Sequence, residues 1–396
     1  MMILTGKLLL DPAQPPQPGW IRLEGQRIAE VGSGRSPGRT DLGDEGCLIC
    51  PGFVDAHVHL SQAEIIGCDG LDLLDWLDRV VYPAEIQWTD PAFAETQAKR
   101  AYRLLLGAGT LGYAGYLTAH LHSVVAAIRA GYETPLRAVA GQPLMDRNAP
   151  PELLGRKTAR LATSRRARLL ASVTPRYALC CSEQLLRRAG KLASGGAPIQ
   201  THLAESPREC ELVRQLFPDA PHYTGVYDRF GLLTERTLLA HCIHLGDEEW
   251  RLIAQRDCVV VHCPTANTFL GSGLFDLDAA RRHGVRLALG SDVAAGPDLA
   301  MPRVARAMIE VAKVRRMTVA DRASVPTPAE AWHLITRGNA EALGWHDAGR
   351  LEAGAAADLL ILRPPVAMDE HLIGRLIYNW RDDFIAHRIL AGRLLD

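Results

Sequence analysis

The histidines His57 and His59 are the residues whose type and spacing most clearly suggest chemistry in this sequence. They end an apolar run near the N-terminus, PGFVDAHVH. In a β-strand, residues two positions apart point to the same face, so both imidazoles can reach one point in space. Convergent imidazoles suit a first-row metal ion, although such a pair alone is weak support for a metal site.

Further polar residues follow other short apolar runs in the same way. Because each lies where a predicted strand ends, several strand ends are expected to face one metal ion. Mixed nitrogen and oxygen ligands favour zinc, with iron or manganese possible. A single ion per chain is expected, since no lysine ends the predicted fourth strand to bridge a second one. The residues are His202 and Glu205 in IQTHLAE, His241 in LLAHC, and Asp292 in VRLALGSD.

The elements that must position these groups alternate between strand and helix from Pro51 onward. Near-continuous apolarity is typical of parallel strands buried on both faces. Helix signals lie between the strands, including a capping box at Ser206–Glu209 that recurs at Thr327–Glu330, and a helix end at Gly284. Eight such units predict an α/β protein, a (β/α)8 TIM-type barrel over residues 51–349 whose catalytic groups lie at the C-terminal strand ends. The apolar runs are FVDAHVH, LGYAGYL, LRAVAG, LLASVTPRY, APIQTHLA, TLLAHC, CVVVHC and VRLALGSD.

The two ends of the chain differ from this middle part. Residues 1–50 contain short apolar runs divided by Gly, Pro and Gln, and GAAADLLILRP and AHRILAGRLLD follow near the C-terminus. These runs predict antiparallel strands of a small composite β-sandwich, formed by residues 1–50 together with 350–396. The barrel would be inserted between the two parts. The run GLDLLDWLDRVV predicts an amphipathic helix with a solvated acidic face.

Composition narrows the possible functions. The chain has 396 residues, 47% hydrophobic, and a net charge of −1 without a basic block, which argues against a nucleic-acid or membrane partner. No run is long enough to span a bilayer, and MMILTGKLLL lacks the features of a signal peptide. Nine cysteines scattered through apolar runs indicate reduced core residues and a cytoplasmic location. Cys47 and Cys50 are interpreted as strand residues, with metal or redox chemistry as the alternative.

Other histidines are open to two interpretations. His120 and His122 form a second H-x-H after the predicted second strand, and a structural role is favoured over substrate contact or metal binding. His244 lies beyond its strand and is expected to be structural. His262 ends the predicted seventh strand, where it either lines the site or packs in the core.

As a set, PGFVDAHVH, QTHLAE, LLAHC, VVHCPTAN, LALGSD and GRLEAGAAADLLIL resemble the metal-dependent amidohydrolase superfamily over nearly the whole chain. The resemblance implies the barrel with its composite sandwich and hydrolytic chemistry, and its mononuclear deaminase branch is the most similar. That branch holds its metal with residues that correspond to His57, His59, His202 and Asp292. His241 would hydrogen-bond the metal-bound water.

A narrower resemblance comes from HLSQ, DLLDWLDRVVYPAE, TPRYALCCSEQLL and YTGVYDRFGLL, which are similar to the guanine deaminase family. In that family a glutamine and an Arg-aromatic pair hold the purine, corresponding here to Gln62, Arg176 and Tyr177. The substrate would also contact His202, Glu205 and Asp292. Tyr177 replaces a residue that is often Phe, which keeps a stacking ring. The segment GTLGYAGYLTAHLHS matches loosely. The family resemblance also suggests a homodimer.

The implied reaction is the hydrolysis of guanine to xanthine and ammonia. A bound metal lowers the pKa of water from 15.7 toward about 7, and the resulting hydroxide would attack C2. Asp292 would take the water proton, Glu205 would protonate ring N3, and His241 would stabilise the oxyanion. The Arg176 guanidinium can donate to O6 of guanine, while Gln62 offers both a donor and an acceptor to the purine edge.

Two alternatives stay open at this point. A sister aminohydrolase could act on another heterocycle, such as 8-oxoguanine, a pterin or a triazine, although Arg176 and Gln62 favour a guanine-like edge. A non-catalytic scaffold with this fold is the second alternative. Such scaffolds usually lack metal ligands, whereas all expected positions are filled here.

Overall fold

The computed structural model describes residues 1–154 and 163–395, so residues 155–162 and 396 of the predicted domains lie outside the described part. The strands are β1 (Met2–Leu8), β2 (Gln17–Glu24), β3 (Arg27–Ser33), β4 (Leu48–Pro51), β5 (Phe53–His59), β6 (Thr110–Tyr116), β7 (Arg137–Gly141), β8 (Pro143–Leu144), β9 (Leu169–Ala171), β10 (Thr174–Pro175), β11 (Ile199–Leu203), β12 (Thr237–His241), β13 (Val259–His262), β14 (Arg286–Leu289), β15 (Leu359–Leu362), β16 (Ile385–Leu390) and β17 (Arg393–Leu395). The α-helices are α1 (Leu73–Trp76), α2 (Tyr82–Ile86), α3 (Pro91–Gly107), α4 (Leu121–Glu133), α5 (Glu183–Ala193), α6 (Pro207–Leu216), α7 (Tyr223–Arg229), α8 (Asp247–Gln255), α9 (Pro264–Phe269), α10 (Leu277–Arg282), α11 (Met301–Thr318), α12 (Pro328–His333), α13 (Asn339–Ala342) and α14 (Leu372–Asn379).

All eight predicted apolar runs contain strands, and these strands form two parallel sheets in the orders β5-β6-β7-β9 and β11-β12-β13-β14. The sheets meet at both edges. On one side Val173 bridges to Ile199 in parallel register. On the other side the Asp292 amide donates to the His57 carbonyl over 2.8 Å. The architecture is therefore TIM-barrel-like, and the buried residues on both faces of strands such as β5 and β11 are those expected of it.

One predicted strand is interrupted. The sequence predicts a single fourth strand over LLASVTPRY, whereas the structure divides it into β9 and the short β10, which pairs with β8. That prediction of one unbroken strand was wrong. In this short pairing Pro143 lies opposite Thr174 and Pro175 lies opposite Leu144, and since proline has no backbone N–H, neither proline can donate a ladder hydrogen bond.

The two chain ends contribute strands to one seven-stranded sheet, in the order β17-β16-β15-β4-β1-β2-β3. Alternate residues of this sheet enter different cores, as the two-residue period of a strand requires. Ile49 and Ile361 belong to a small core of the terminal sheet, whereas Leu48 and Leu360 pack against the large core of the barrel. The β1–β4 pairing is parallel rather than antiparallel as predicted, because the long connection over residues 34–47 carries the chain back across the sheet before β4 begins.

Helix signals in the sequence are reproduced closely. Both capping boxes are present, at Ser206 and at Thr327. The run predicted as an amphipathic helix begins at Leu73 and continues through a π-helical turn over Leu77–Val81 into α2. Such π turns are frequent at functional sites.

The described residues contain no helix that is both long and apolar enough to cross a membrane. All nine cysteines are free. Cys47 belongs to the core of the terminal sheet and Cys50 to the core of the barrel, so the two thiols of the C-x-x-C point into different cores. Cys50 lies in β4 as predicted, whereas Cys47 directly precedes that strand.

Candidate active site

Three imidazoles and one carboxylate converge where β5, β11 and β14 end. The four ligand atoms of His57, His59, His202 and Asp292 all lie within 4.8 Å of one another. His59 Nε2 is 3.2 Å from His202 Nε2, and Asp292 Oδ1 is 3.2 Å from His57 Nε2 and 3.3 Å from His59 Nε2. The structure thus brings together the residues that the family resemblance implied as ligands.

The protonation of these groups fits a divalent cation. His202 Nδ1 lies 2.6 Å from the Arg176 carbonyl, which can only accept, so the ring proton is on Nδ1 and the lone pair of Nε2 faces His59. Burial lowers the pKa of His59 to about 4 and that of His202 well below its usual value, so both rings are neutral. Ligand bonds of about 2.0–2.1 Å in a tetrahedron imply ligand separations of about 3.3 Å, close to those observed.

The carboxylate of this cluster is ionised. Burial works against the charge on Asp292, but hydrogen bonds from His57 and His59 outweigh it and hold the pKa of the carboxyl well below its usual range. An anionic oxygen beside neutral imidazoles is the donor set that zinc and similar ions bind. A divalent metal therefore fits at these four residues.

Asp55 positions the strands that carry the cluster. Its Oδ1 accepts from the His57 amide over 3.1 Å and from the Ser291 amide over 3.0 Å, and the Ser291 hydroxyl donates to its other oxygen. These bonds join β5 to the segment after β14, which carries Asp292. Burial raises the pKa of Asp55 to about 6. The sequence analysis missed this residue, although a carboxylate inside the apolar run PGFVDAHVH was a usable signal.

Glu205 and His241 lie beside the cluster as an interacting pair. Glu205 Oε2 is 3.3 Å from His241 Nε2, which is 3.8 Å from Asp292 Oδ2. The Ser272 hydroxyl donates to Glu205 Oε1 over 3.4 Å, and His241 Nδ1 lies 2.9 Å from Asn267 Oδ1. Burial, followed by the charge of Asp292, raises the pKa of Glu205 well above its usual value, which suits a group that gives up a proton.

The capping box after β11 holds the backbone of Glu205. The Glu209 carboxylate accepts from the amides of Glu205 over 2.8 Å and Ser206 over 3.2 Å, and the Tyr223 hydroxyl donates to it over 2.7 Å. A helix start that the sequence predicted thus also positions the candidate proton carrier.

A pocket opens over the cluster. Every residue predicted to contact the substrate or act in catalysis lines it, together with apolar groups from the helical segment around α1. The lining residues are His59, Gln62, Leu73, Trp76, Leu77, Arg176, Tyr177, His202, Glu205, His241, Leu270, Asp292 and Ala295.

Glu85 links the two side chains predicted to read the purine edge, and the sequence analysis missed it. Arg176 Nη1 donates to Glu85 Oε2 over 2.7 Å, and Gln62 Nε2 donates to Glu85 Oε1 over 3.0 Å. Burial works against the charge on Arg176, but the Glu85 carboxylate outweighs it and raises the pKa of the guanidinium. A carboxylate in the otherwise buried segment VVYPAE was the available signal.

Tyr177 lies in the pocket wall with its hydroxyl engaged elsewhere. The hydroxyl interacts with Cys180 and Tyr82, and burial raises the pKa of the phenol well above its usual value. The ring is thereby fixed in orientation, which suits a stacking surface.

The remaining histidines make local contacts. His244 Nε2 lies 2.8 Å from the Ser272 carbonyl, and the buried His262 ring stacks on Phe275 with centroids 4.5 Å apart. His120 and His122 stack on each other at 5.4 Å and hydrogen-bond toward the segment after α2. The described residues that line the pocket do not include these four, in agreement with the structural interpretation.

Comparisons with known proteins give consistent matches. Residues 48–395 match the family model described as the amidohydrolase family. The chain is 33% identical over 330 residues to guanine deaminase of Escherichia coli (strain K12), covering 81% of this chain and 74% of that protein. Among solved structures, E. coli guanine deaminase superposes with a TM-score of 0.90 at 27% identity, covering 100% and 99% of the two chains. The guanine deaminase from C. acetobutylicum with guanine bound in its active site gives 0.91 at 26% identity, covering 100% of both chains.

Proposed function

The chain belongs to the amidohydrolase family, within its guanine deaminase group, and from that premise we propose that it catalyses the hydrolytic deamination of guanine to xanthine and ammonia. The observation that carries the proposal is the pocket itself. Its floor is the cluster of imidazoles with Asp292, its proton carrier is the buried Glu205, and its wall presents the donors of Arg176 and Gln62. A structural neighbour at 26% identity holds guanine in its active site.

We propose zinc as the metal, one ion per chain, with iron or manganese as alternatives. His57, His59, His202 and Asp292 would hold it, since imidazole nitrogens and a carboxylate oxygen are typical ligands of a borderline cation. When bound, the ion supplies Lewis acidity, which lowers the pKa of water to about 7.

The purine would be held by its edge and its face. One N–H of Arg176 donates to Glu85, and the other N–H groups of the guanidinium can donate to O6. One N–H of Gln62 likewise donates to Glu85, and the other can donate to an acceptor of the ring. The Tyr177 ring would stack on the purine, and apolar groups such as Trp76 exclude water from the pocket.

Glu205, His241 and Asp292 would move the protons. Asp292 Oδ2 accepts the proton that the attacking water loses as oxygen adds to C2. Glu205 would donate its proton to ring N3 and would then transfer the proton from Asp292 to the departing amine, so that ammonia leaves. As the C2 carbonyl of xanthine forms, the proton of the C2 hydroxyl would return to Glu205. His241 would stabilise the developing oxyanion through Nε2, which faces Glu205 and Asp292, while its Nδ1 contacts Asn267.

The proposed function is tested by ammonia release and xanthine formation from guanine, with adenine and cytosine as controls. We expect turnover of guanine alone among these three. A panel of 8-oxoguanine, a pterin and a triazine tests the alternative of a sister aminohydrolase, and activity on one of these without activity on guanine would overturn the proposal. A metal-replete protein inactive on every compound would instead support the non-catalytic scaffold.

The domain boundaries are also a proposal. We infer that residues 51–349 form the eight-stranded hydrolase barrel and that residues 1–50 with 350–396 form a composite β-sandwich beside it. The separation of two apolar cores, one in the barrel and one in the terminal sheet, supports this division. The candidate metal ligands and the residues that line the pocket would then all belong to the barrel.

A further inference from the structure

Glu85 is a fully buried carboxylate, 0% exposed, that lies behind the purine-reading wall of the pocket. Each of its oxygens accepts a hydrogen bond from a different wall residue, Gln62 at 3.0 Å and Arg176 at 2.7 Å. Gln62 is itself 2% exposed and Arg176 3% exposed. All three groups are therefore removed from bulk water, and their mutual contacts determine what they present to a ligand.

The first consequence is a defined orientation of the Gln62 amide. An ionised carboxylate only accepts hydrogen bonds, so the NH₂ group of Gln62 must face Glu85. The Gln62 carbonyl oxygen then faces the Ala294 amide, which donates to it over 3.4 Å. Without Glu85 the amide could rotate by half a turn and exchange its donor for its acceptor.

The second consequence is a balance of charge. The Arg176–Glu85 ion pair brings no net charge to this wall, whereas an unpaired guanidinium would attract anions in a site of low dielectric constant. This difference matters for the proposed reaction, because xanthine is a stronger acid than guanine and ionises more readily as pH rises. A neutral wall therefore disfavours retention of the anionic product.

We propose that Glu85 is a positioning and specificity-determining residue, which orients Gln62 and Arg176 and makes the pocket selective for an uncharged purine over its anionic product. The inference rests on the proposed function for the identity of the ligands. It concerns a residue that acts through Gln62 and Arg176 and does not itself contact the substrate.

The titratable groups that face Glu85 have pKa values shifted away from neutral pH. They are Arg176, Tyr82 and Cys180, with His120 farther away. Burial raises the pKa of Tyr82 and Cys180, so the phenol and the thiol stay neutral near neutral pH. Burial lowers the pKa of His120, which favours its neutral form. If the ratio of ligand affinities of two variants changes with pH, the change therefore reflects ionisation of the ligand.

The test compares wild type with Glu85→Gln. We expect the KM for guanine to rise by about tenfold or more, with a smaller change in kcat, since one of two buried contacts is lost. Xanthine affinity is measured by calorimetry at about pH 6 and about pH 9. The ratio of the variant's Kd to that of wild type should fall by about tenfold at the higher pH, because the variant no longer neutralises Arg176.

Glu85→Asp separates the orienting role of Glu85 from its charge-balancing role. It also provides a second variant in case Glu85→Gln does not fold. The shorter side chain keeps the charge but reaches only one partner, so we expect a raised KM for guanine and an unchanged Kd ratio for xanthine across pH. Asp358→Asn is the matched control, because it removes a carboxylate from the Arg168 ion pair remote from the pocket. It should lower the melting temperature and leave both ligand measurements unchanged.

Two results overturn the inference: an unchanged KM for guanine in both Glu85 variants, or a Kd ratio for Glu85→Gln that is the same at both pH values. Calorimetry needs no turnover. A wild-type protein that binds xanthine but does not deaminate guanine would therefore contradict the proposed function while the role of Glu85 was still tested.

Discussion

At the scale of single residues, His202 contacts both another candidate metal ligand and the residue proposed to bind the purine. Its Nδ1–H donates to the Arg176 carbonyl, and its Nε2 faces His59. The backbone of Arg176, the residue proposed to read the purine, thus also orients a candidate metal ligand, as partners of metal-bound histidines generally do.

We expect His202→Ala and His57→Ala to lose both the bound metal and activity, because each removes one of four converging ligand atoms. Metal content is measured by elemental analysis beside guanine turnover. His244→Ala is the control, since His244 contacts the Ser272 carbonyl and not the cluster. A metal-free His202→Ala protein with full turnover would contradict the assignment.

Glu205→Gln should keep the metal and the fold but lose turnover by about 10²–10⁴-fold, the usual contribution of a general acid–base. The amide is nearly isosteric and can still accept from Ser272, yet it cannot carry the proton. Activity and metal content are measured on the same preparation. Loss of the metal together with activity would show that Glu205 is a ligand or a structural residue instead.

Arg176→Ala should weaken guanine turnover strongly and leave metal content intact, since the guanidinium is not a ligand. The wild type should prefer guanine to adenine by a large factor in kcat/KM, because an adenine amine facing Arg176 leaves buried donors unpaired at about 1–3 kcal/mol each. Arg176→Ala also leaves the buried Glu85 carboxylate without the guanidinium that pairs with it.

Arg176→Lys is therefore the matched control for the arginine. It keeps a cation for Glu85 but loses the planar set of donors, so it should fold normally and still lose guanine selectivity. Equal kcat/KM for guanine in wild type and in both variants would show that the O6 assignment is wrong.

At the level of elements, Asn339 connects β5 to β14 at the seam where these two strands of different sheets lie side by side. Its amide donates to the carbonyls of Val54 over 2.6 Å and Leu289 over 2.7 Å and accepts from the Leu289 amide over 2.8 Å. Because His57 ends one of these strands and Asp292 follows the other, this seam sets the distance between two candidate ligands.

Asn339→Ala should lower the free energy of unfolding by about 2–4 kcal/mol, since it leaves buried backbone groups without partners. Metal affinity should fall as well, because the seam loosens. Denaturant unfolding and metal titration measure the two effects. Asn379→Ala, which removes an exposed hydrogen bond to the Arg375 carbonyl, should change neither by a comparable amount.

For the whole molecule, a bound metal ion would couple activity to stability. The ligands come from β5, from β11 and from the segment after β14, so a bound ion joins both parallel sheets. An ion that binds only the folded chain stabilises it by mass action.

Removal of the metal by a chelator should therefore lower the melting temperature of wild type by several degrees, and added zinc should restore it. Scanning calorimetry with and without chelator measures the shift. His202→Ala should show no comparable shift, and an equal shift in that variant would place the stabilising ion elsewhere. The homodimer and the cytoplasmic location implied earlier stay predictions.

Much of this molecule could be predicted from local patterns. The two-residue period of a strand placed His57 and His59 on one face, and the ends of apolar runs marked His202, His241 and Asp292. Helix starts at Ser206 and Thr327 followed from capping chemistry. These features depend on neighbours a few residues away, which is why the sequence alone determines them.

Only the tertiary structure decided which distant groups meet. Glu85 reaches Gln62 and Arg176, which are 23 and 91 residues away along the chain, and Asp55 reaches Ser291 across 236 residues. Periodicity says which face a side chain takes within its own strand or helix. The distance between atoms of different elements depends on how those elements pack, and no local pattern contains that information.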